Sequence, residues 1–193
     1  WFVYDAEGDT SHGRAQFRLG SAVGTTLLLA EGASARFEER SMGFDALLDW
    51  HDATFAGFVP GGRFTYTDLE GNTFVNAAPE PAPVEVPDDF PATLARDGSS
   101  IELFWDGPPL APGESMEVVA AHDANRFEFV RSDVRAVGAE SVVLSGGQLA
   151  DLPRGGTVLT LRRWWETQDV EAPEGGGVLR TTYQSREAYF TLD

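Results

Sequence analysis

The sequence predicts an all-β protein built as two antiparallel β-sandwich domains in tandem. Apolar and polar side chains alternate over many short stretches, and this period of two is what half-buried strands require. Turn-forming pairs such as Gly146–Gly147 and Gly155–Gly156 separate the stretches. No helical pattern is long enough for the crossover that parallel strands need, so antiparallel sheets are expected. The 193 residues are ample for two sandwiches of about 100 residues each.

The first half of the chain contains several strand-like stretches. Residues 63–77 predict a hairpin, because aromatic residues alternate with polar ones on both sides of a Gly71–Asn72 turn. Residues 41–52 (SMGFDALLDWHD) have a helical option, but they are too few for more than a loop or one helical turn. The predicted strands are residues 13–20 (GRAQFRLG), 25–32 (TTLLLAEG), 33–40 (ASARFEER) and the two arms of residues 63–77 (RFTYTDLEGNTFVNA).

A proline-rich segment divides the two halves. Residues 76–91 (NAAPEPAPVEVPDDFP) contain five prolines, which lack the amide donor that a central strand needs and favour extended chain. The sequence therefore predicts an N-terminal β-sandwich domain at 1–78, a linker at 79–91 and a C-terminal domain at 92–193.

The second half contains seven predicted strands, a number typical of a small β-sandwich. Within residues 99–107, Ile101, Leu103 and Trp105 share one face, so we expect Trp105 to be buried. The seven stretches are residues 92–95 (ATLA), 99–107 (SSIELFWDG), 115–122 (SMEVVAAH), 126–133 (RFEFVRSD), 140–146 (ESVVLSG), 157–166 (TVLTLRRWWE) and 177–193 (GVLRTTYQSREAYFTLD).

Composition excludes several classes of partner and site. The formal net charge is −17, from 14 basic and 31 acidic residues, so nucleic acids and anionic membranes are repelled. The acidity fits solubility best, with a saline habitat and cation binding as alternatives. The absence of cysteine excludes disulfides and thiolate chemistry. No apolar run approaches the roughly 18 residues that span a bilayer. The chain begins at Trp1 rather than Met, so we expect an export signal on a longer precursor.

Two stretches carry a resemblance to known proteins. Residues 99–110 (SSIELFWDGPPL) resemble the second strand of a fibronectin type III-like or Ig-like domain. Residues 149–164 (LADLPRGGTVLTLRRW) are similar to its later part, with Leu149 and Leu152 at the corner and Val158 near the place of the usual tyrosine. The whole chain resembles exported bacterial proteins of the lipoprotein type, which have an N-terminal β domain and a C-terminal Ig-like domain. The resemblance implies export and supplies no catalytic residue.

Catalytic motifs are not apparent in the sequence. It contains no G-x-S-x-G elbow, no H-E-x-x-H helix and no glycine-rich phosphate loop. Each of the histidines His12, His51 and His122 has an aspartate within three positions, which would suit a shared metal site. With 31 acidic residues in the chain, however, such neighbours are common by chance, so a shared metal site is not favoured. Paired carboxylates for glycoside hydrolysis depend on tertiary geometry, so a carbohydrate-active enzyme stays open as the alternative function.

Calcium is the one cofactor for which the sequence offers a hypothesis. Asp68, Glu70 and Asn72 place oxygen-bearing side chains at alternate positions around a glycine, and residues 5–9 (DAEGD) repeat the pattern. Neither stretch completes a twelve-residue calcium loop. The favoured interpretation is that Asp, Asn and Gly serve the turn itself.

The stretch 157–168 (TVLTLRRWWETQ) contains the candidate ligand-binding residues Arg162, Arg163, Trp164 and Trp165. Successive side chains of a strand alternate faces, so the two tryptophans should point in opposite directions. A core-facing Leu159–Leu161 pair would place Trp165 inside and Trp164 outside, beside Arg162. Packing is the favoured role, and a surface for a sugar ring or a partner protein is the alternative.

Taken together, these observations predict a non-enzymatic exported protein. We expect a surface or periplasmic binding or adhesion module in the periplasm, on the outer membrane or outside the cell. The expected partner is a glycan or a cell-surface protein, and a lipid anchor on the precursor is compatible with the resemblance. The alternative is a carbohydrate-active enzyme or its carbohydrate-binding accessory domain.

Overall fold

The computed structural model describes residues 1–18, 26–173 and 176–193. The prediction of an all-β fold is confirmed, since 52% of the chain is strand and 3% is helix, in several antiparallel sheets. The strands are β1 Phe2–Asp5, β2 Thr10–Ala15, β3 Ser34–Phe37, β4 Arg40–Ser41, β5 Gly43–Asp45, β6 Trp50–Ala56, β7 Gly62–Thr67, β8 Thr73–Ala78, β9 Thr93–Leu94, β10 Ile101–Phe104, β11 Glu114–His122, β12 Asn125–Val134, β13 Ser141–Leu144, β14 Gly155–Thr167, β15 Leu179–Gln184 and β16 Ala188–Leu192; the helix α1 is Gly146–Asp151.

Several predicted elements need correction. Residues 41–52 contain the expected loop or single turn at 46–49, where the Asp49 amide donates to the Asp45 carbonyl at 2.9 Å and the Asp45 carboxylate accepts the Leu47 and Leu48 amides; the flanking β5 and β6, which were not predicted, pair as a hairpin. The last predicted strand is two strands, β15 and β16, because the pairing with β14 is interrupted at residues 185–187; Gln184 lies beside Arg162 and Ala188 pairs with Leu159. The Gly146–Gly147 turn is the start of α1, which Ser145 caps. Of the predicted strands 13–20 and 25–32, residues 19–20 and residue 25 lie outside the described residues, and Leu27 to Ala30 are not in a strand.

The chain divides into two compact units. The first unit comprises residues 1–4, 9–81 and 166–182, and the second comprises residues 5–8, 82–165 and 183–193. The division at 81/82 falls inside the predicted linker. Residues 166–182 pack with the first unit although their sequence lies in the predicted C-terminal domain, because Leu179 and Val170 join the first unit's core. Which segments fold independently stays a prediction.

The first unit is a sandwich with an aromatic core. One layer is the four-stranded sheet in the order β4-β3-β7-β8, and the other contains β1, β2, β6 and β5. Phe37 of β3 is fully buried and its ring contacts three other aromatic rings, those of Phe2, Phe55 and Phe64. Two glycines lie against this ring, since a Cβ at Gly13 or Gly62 would collide with it.

We expect Gly13→Ala to destabilise the protein by about 1–3 kcal/mol, because a methyl group there has no room beside the packed Phe37 ring. Chemical denaturation followed by circular dichroism measures the change. The matched control is Gly43→Ala in β5, where a Cβ meets no atom within 4 Å. That substitution should change stability by no more than about 0.5 kcal/mol. Equal effects of the two substitutions would contradict the packing of Phe37 between the glycines.

The second unit buries aliphatic residues between two sheets. β12, β11 and β14 pair in that order, β16 adds to the start of β14, and β9 pairs with β16 in parallel. The two-stranded β10–β13 sheet supplies Leu103, Val142 and Leu144 to the core. Trp105 follows β10 and is 6% exposed, so its predicted burial is confirmed.

The proline-rich segment, as the structure describes it, contains no central strand, as expected. Residues 76–78 belong to β8, which is the last strand of its sheet, so the described residues of 76–91 include no central strand. Val84 is nevertheless fully buried, and Glu85 makes a single bridge with Asp106. Residues 82–91 are therefore a packed part of the second unit and not a free linker.

In the described part of the chain, no helix is long and apolar enough to span a membrane; α1 has six residues.

Candidate functional site

The three strands β11, β12 and β14 determine which side chains share a surface. β11 pairs with β14 without interruption from Glu114↔Trp165 to His122↔Thr157, and it pairs with β12 from Met116↔Val134 to Ala121↔Phe129. Met116, Val118 and Ala120 point inward, since all three are fully buried. Because side chains alternate and paired residues share a face, the other set points outward.

This outward set forms a surface that we call the outer face. Neighbouring strands lie about 4.8 Å apart, and successive outward residues of one strand lie about 7 Å apart. The surface is therefore a regular grid in which charged side chains occupy the middle and aromatic ones occupy the two ends. Its residues are Phe129, Arg131 and Asp133 of β12; Ser115, Glu117, Val119 and Ala121 of β11; and Val158, Thr160, Arg162 and Trp164 of β14.

A carboxylate shared by two arginines lies at the centre of the outer face. Glu117 lies 3.9 Å from the Arg131 guanidinium and 3.5 Å from that of Arg162, measured between nitrogen and oxygen atoms. The Arg162 Nε also donates a hydrogen bond to Gln184 Oε1 at 3.0 Å. The arginine side chains are 69% and 44% exposed and that of Glu117 is 22% exposed. The cationic groups therefore stand more openly in solvent than the carboxylate they share.

Trp164 occupies one end of the outer face. It is half-buried, and the Arg135 guanidinium lies over its ring at 5.3 Å from the centroid. Arg135 also donates to Asp133 at 3.2 Å. The expectation of an arginine near this tryptophan is met by a residue of the segment after β12, whereas Arg162 turns toward Glu117 and Gln184.

The predicted burial of Trp165 is wrong. The regular register places the two tryptophans on opposite faces, as expected, but both are half-buried. The inward position beyond Leu159 and Leu161 is taken by Arg163, which is 2% exposed. Trp165 lies beyond it, where a Cβ on Gly113 would be only 3.0 Å from the indole Nε1. The core therefore ends in a buried guanidinium, and Arg163 is not part of the outward set of side chains.

Arg163 is held by the loop before β11. Its guanidinium donates to the carbonyl oxygens of Pro108 at 2.6 Å and Pro109 at 2.9 Å. It also pairs with the Glu114 carboxylate, which accepts the Ala111 amide at 2.7 Å. A buried charge is tolerated where it is paired and hydrogen-bonded in this way.

A second polar network closes the other end of the outer face. Arg126 forms a two-pronged pair with Glu187 at 2.9 and 3.3 Å, and Tyr189 donates to Glu187 at 2.6 Å. Burial alone would raise the pKa of Glu187, but the hydrogen bonds from Tyr189 and Arg126 outweigh it and lower that pKa. Tyr189 lies opposite Val158, which is 1% exposed although it faces outward.

The calcium candidate lies in the turn between β7 and β8. Asp68 Oδ1 accepts the amides of Glu70 and Asn72, and Oδ2 accepts the Asn72 side-chain amide at 2.9 Å. The Asn72 side chain, with the backbone amides, lowers the pKa of Asp68. These bonds are the turn chemistry of aspartate. Within the described residues no group of three His, Asp or Glu side chains is placed to hold a metal ion. Calcium at Asp68, Glu70 and Asn72 stays a prediction.

Sequence reasoning selected Arg162 and Trp164 but missed their neighbours. Arg131 and Phe129 stand at alternate positions of β12, and this alternation in residues 126–133 is visible in the sequence. Glu117 also has the parity of an outward residue. What the sequence does not show is that β11 lies between β12 and β14, which brings Glu117 to both arginines.

A shallow hollow of about 150 Å³ lies elsewhere in the second unit. It is lined by residues 87, 89–91 and 102–104, with Phe90 and Phe104 as its aromatic walls. Ligand pockets for small molecules usually have about 300–1,000 Å³. The hollow is too small to receive such a ligand.

The solved structures to which this chain is similar include three of low identity. The major subunit of the type I aggregative adherence fimbriae of Escherichia coli has 12% identity and a TM-score of 0.29, and the match covers 58% of this chain and 95% of the subunit. A tetra-tandem repeat from the extending region of a large adhesion protein has 16% identity and a TM-score of 0.37; the match covers 100% of this chain and 48% of the repeat. The tandem V-type regions of a V-region-containing chitin-binding protein have 12% identity and a TM-score of 0.22, with 95% of both chains covered. No family model and no curated protein matches the sequence.

Proposed function

We propose that the protein is a non-enzymatic binding or adhesion module that contacts a glycan or a cell-surface protein through the outer face. The observation that carries the proposal is the pattern of that face: an aromatic side chain at each end, Phe129 and Trp164, with exposed arginines between them. Aromatic residues and arginine are the side chains enriched where proteins bind partners.

The geometry of the outer face suits attachment better than catalysis. Its charged groups are exposed on one face of a sheet, and its carboxylates Glu117 and Asp133 lie beside arginines. Acid–base catalysis needs such groups in a site that excludes water, with room for substrate between them. An exposed sheet face instead offers an extended ligand many weak contacts at once.

We also place the protein outside the cytoplasm, in the periplasm, on the outer membrane surface or beyond it. The resemblance to exported proteins of the lipoprotein type supports this location, and the strongly negative charge fits a protein that must stay soluble there. Attachment through a lipid on the precursor belongs to the same proposal.

Trp164→Ala should weaken binding to the protein's ligand by about tenfold or more, because truncating an interface tryptophan commonly costs about 2 kcal/mol. The assay is binding of labelled protein to an array of immobilised glycans and extracellular-matrix proteins. The matched control is Trp50→Ala in the first unit, since Trp50 is also half-buried and also lies under a guanidinium, that of Arg14, at 4.7 Å. If Trp164→Ala binds like the wild type, the outer face is not the binding surface.

A further inference from the structure

We infer that the outer face takes an acidic glycan whose sugar rings carry carboxylate groups. The inference rests on the proposed function and names the class of ligand for the same surface. Three observations lead to it: the local charge, the donors of the two arginines and the spacing of the aromatic side chains.

The outer face is much less acidic than the protein as a whole. Arg131, Arg162 and the adjoining Arg135 stand against Glu117 and Asp133, and at the other end Arg126 stands against Glu187 and Asp123, so these charges balance. The chain as a whole has a net charge of −17. An acidic ligand is therefore repelled by the protein in general and least at this surface, which favours binding in one place and one orientation.

The arginines keep donors for a ligand. Each guanidinium has five N–H groups, and the separations of 3.5 and 3.9 Å from Glu117 are longer than a hydrogen bond. Among the described contacts, Arg162 uses one donor for Gln184. A ligand carboxylate can therefore accept two parallel N–H bonds from either arginine, which is the planar arrangement that guanidinium groups form best.

The aromatic side chains lie close enough to the arginines to contact the sugar ring whose carboxylate an arginine binds. Phe129 precedes Arg131 by two residues on β12, and Trp164 follows Arg162 by two residues on β14, so each aromatic lies about 7 Å from an arginine. A sugar ring resting on the exposed Phe129 side chain would bring its carboxylate to Arg131, and the Trp164 ring already carries the Arg135 guanidinium on one face. A surface with balanced charges and two exposed arginines suits isolated carboxylates, whereas a dense polyanion would be repelled by the rest of the protein.

The experiment measures binding of the whole chain to polygalacturonate, to dextran and to dextran sulfate by biolayer interferometry at low and high salt. We expect polygalacturonate to bind and salt to weaken it. Arg162→Gln and Arg131→Gln should each lower the affinity roughly tenfold, since a charged hydrogen bond is lost. The matched control is Arg36→Gln in the first unit, because Arg36 is also 44% exposed and also pairs with a glutamate, Glu39, at 3.6 Å. That control should leave binding unchanged.

Glu117→Gln should change the affinity for polygalacturonate in the opposite direction. It removes the carboxylate that competes with the ligand, so affinity for polygalacturonate should rise about two- to fivefold. A merely structural role of Glu117 would instead weaken binding. Thermal unfolding confirms that each variant is folded. Weaker binding by folded Glu117→Gln, or binding to dextran or dextran sulfate in place of polygalacturonate, overturns the inference and leaves the proposed function standing. The proposed function fails if Trp164→Ala retains whatever binding the array detects.

Discussion

Replacing Arg163 with alanine is expected to destabilise the protein by about 3–5 kcal/mol, as for other buried ion pairs that lose one partner. Arg163 is among the largest fully buried side chains, and its guanidinium satisfies the Pro108 and Pro109 carbonyls together with Glu114. Alanine leaves a cavity, a Pro109 carbonyl oxygen without its Arg163 donor, a Pro108 carbonyl with only the Trp105 indole as donor, and a carboxylate that is 14% exposed without its partner. Urea denaturation followed by tryptophan fluorescence measures the loss.

Arg162 is the natural control for Arg163 because it is the next residue and points the other way. Arg162→Ala removes an exposed pair and should cost no more than about 1 kcal/mol. Replacing Arg163 and Glu114 together by methionine and leucine should cost much less than Arg163→Ala alone, since neither charge is then left buried. Similar costs for Arg163→Ala and Arg162→Ala would show that the buried pair does not support the loop of residues 108–114.

Trp105→Ala is the second large effect, with an expected cost of about 3–5 kcal/mol for truncating a buried aromatic side chain. The indole is buried beside the aliphatic core of the second unit, and its Nε1 donates to the Pro108 carbonyl at 3.2 Å. Alanine loses both the apolar contact and the hydrogen bond. The measurement is again the free energy of unfolding from urea denaturation.

Two further variants separate these contributions. Trp105→Phe keeps most of the apolar contact and should cost about 1–2 kcal/mol less than alanine, with the lost hydrogen bond as its main penalty. Phe104→Ala changes the neighbouring aromatic residue, which is exposed, and should have a small effect. A stability loss from Phe104→Ala as large as that from Trp105→Ala would contradict the inward direction of Trp105.

The strands were predictable where a period of two meets a clear turn. Residues 63–77 formed the expected hairpin because alternating residues flank a turn that Asp68 stabilises by itself. For residues 41–52 the same reasoning found the turn but not the strands on either side of it, since their apolar spacing suits a helical turn and the hairpin is decided by pairing between Phe44 and His51 in β5 and β6. Local pattern contains no information about such a partner strand.

The candidate site was predictable in part for the same reason. The stretch 162–165 drew attention through its composition, and alternation separated Arg162 and Trp164 from the inward side chains. The burial of Arg163 depended on the loop carbonyls of Pro108 and Pro109, more than fifty positions earlier in the chain. Register across three strands likewise brought Glu117 to its arginines, and only tertiary structure supplies register.

Each unit is built from separate segments of the chain, and this limits how the gene can be duplicated or recombined. A coding segment that stops after Pro81 lacks Leu179 and Val170, two residues of the first unit's apolar centre. A segment that starts at Ala82 encodes those residues without the partners they pack against. Duplication or recombination at that point would therefore copy incomplete cores. We therefore expect the two units to be gained or lost together in evolution.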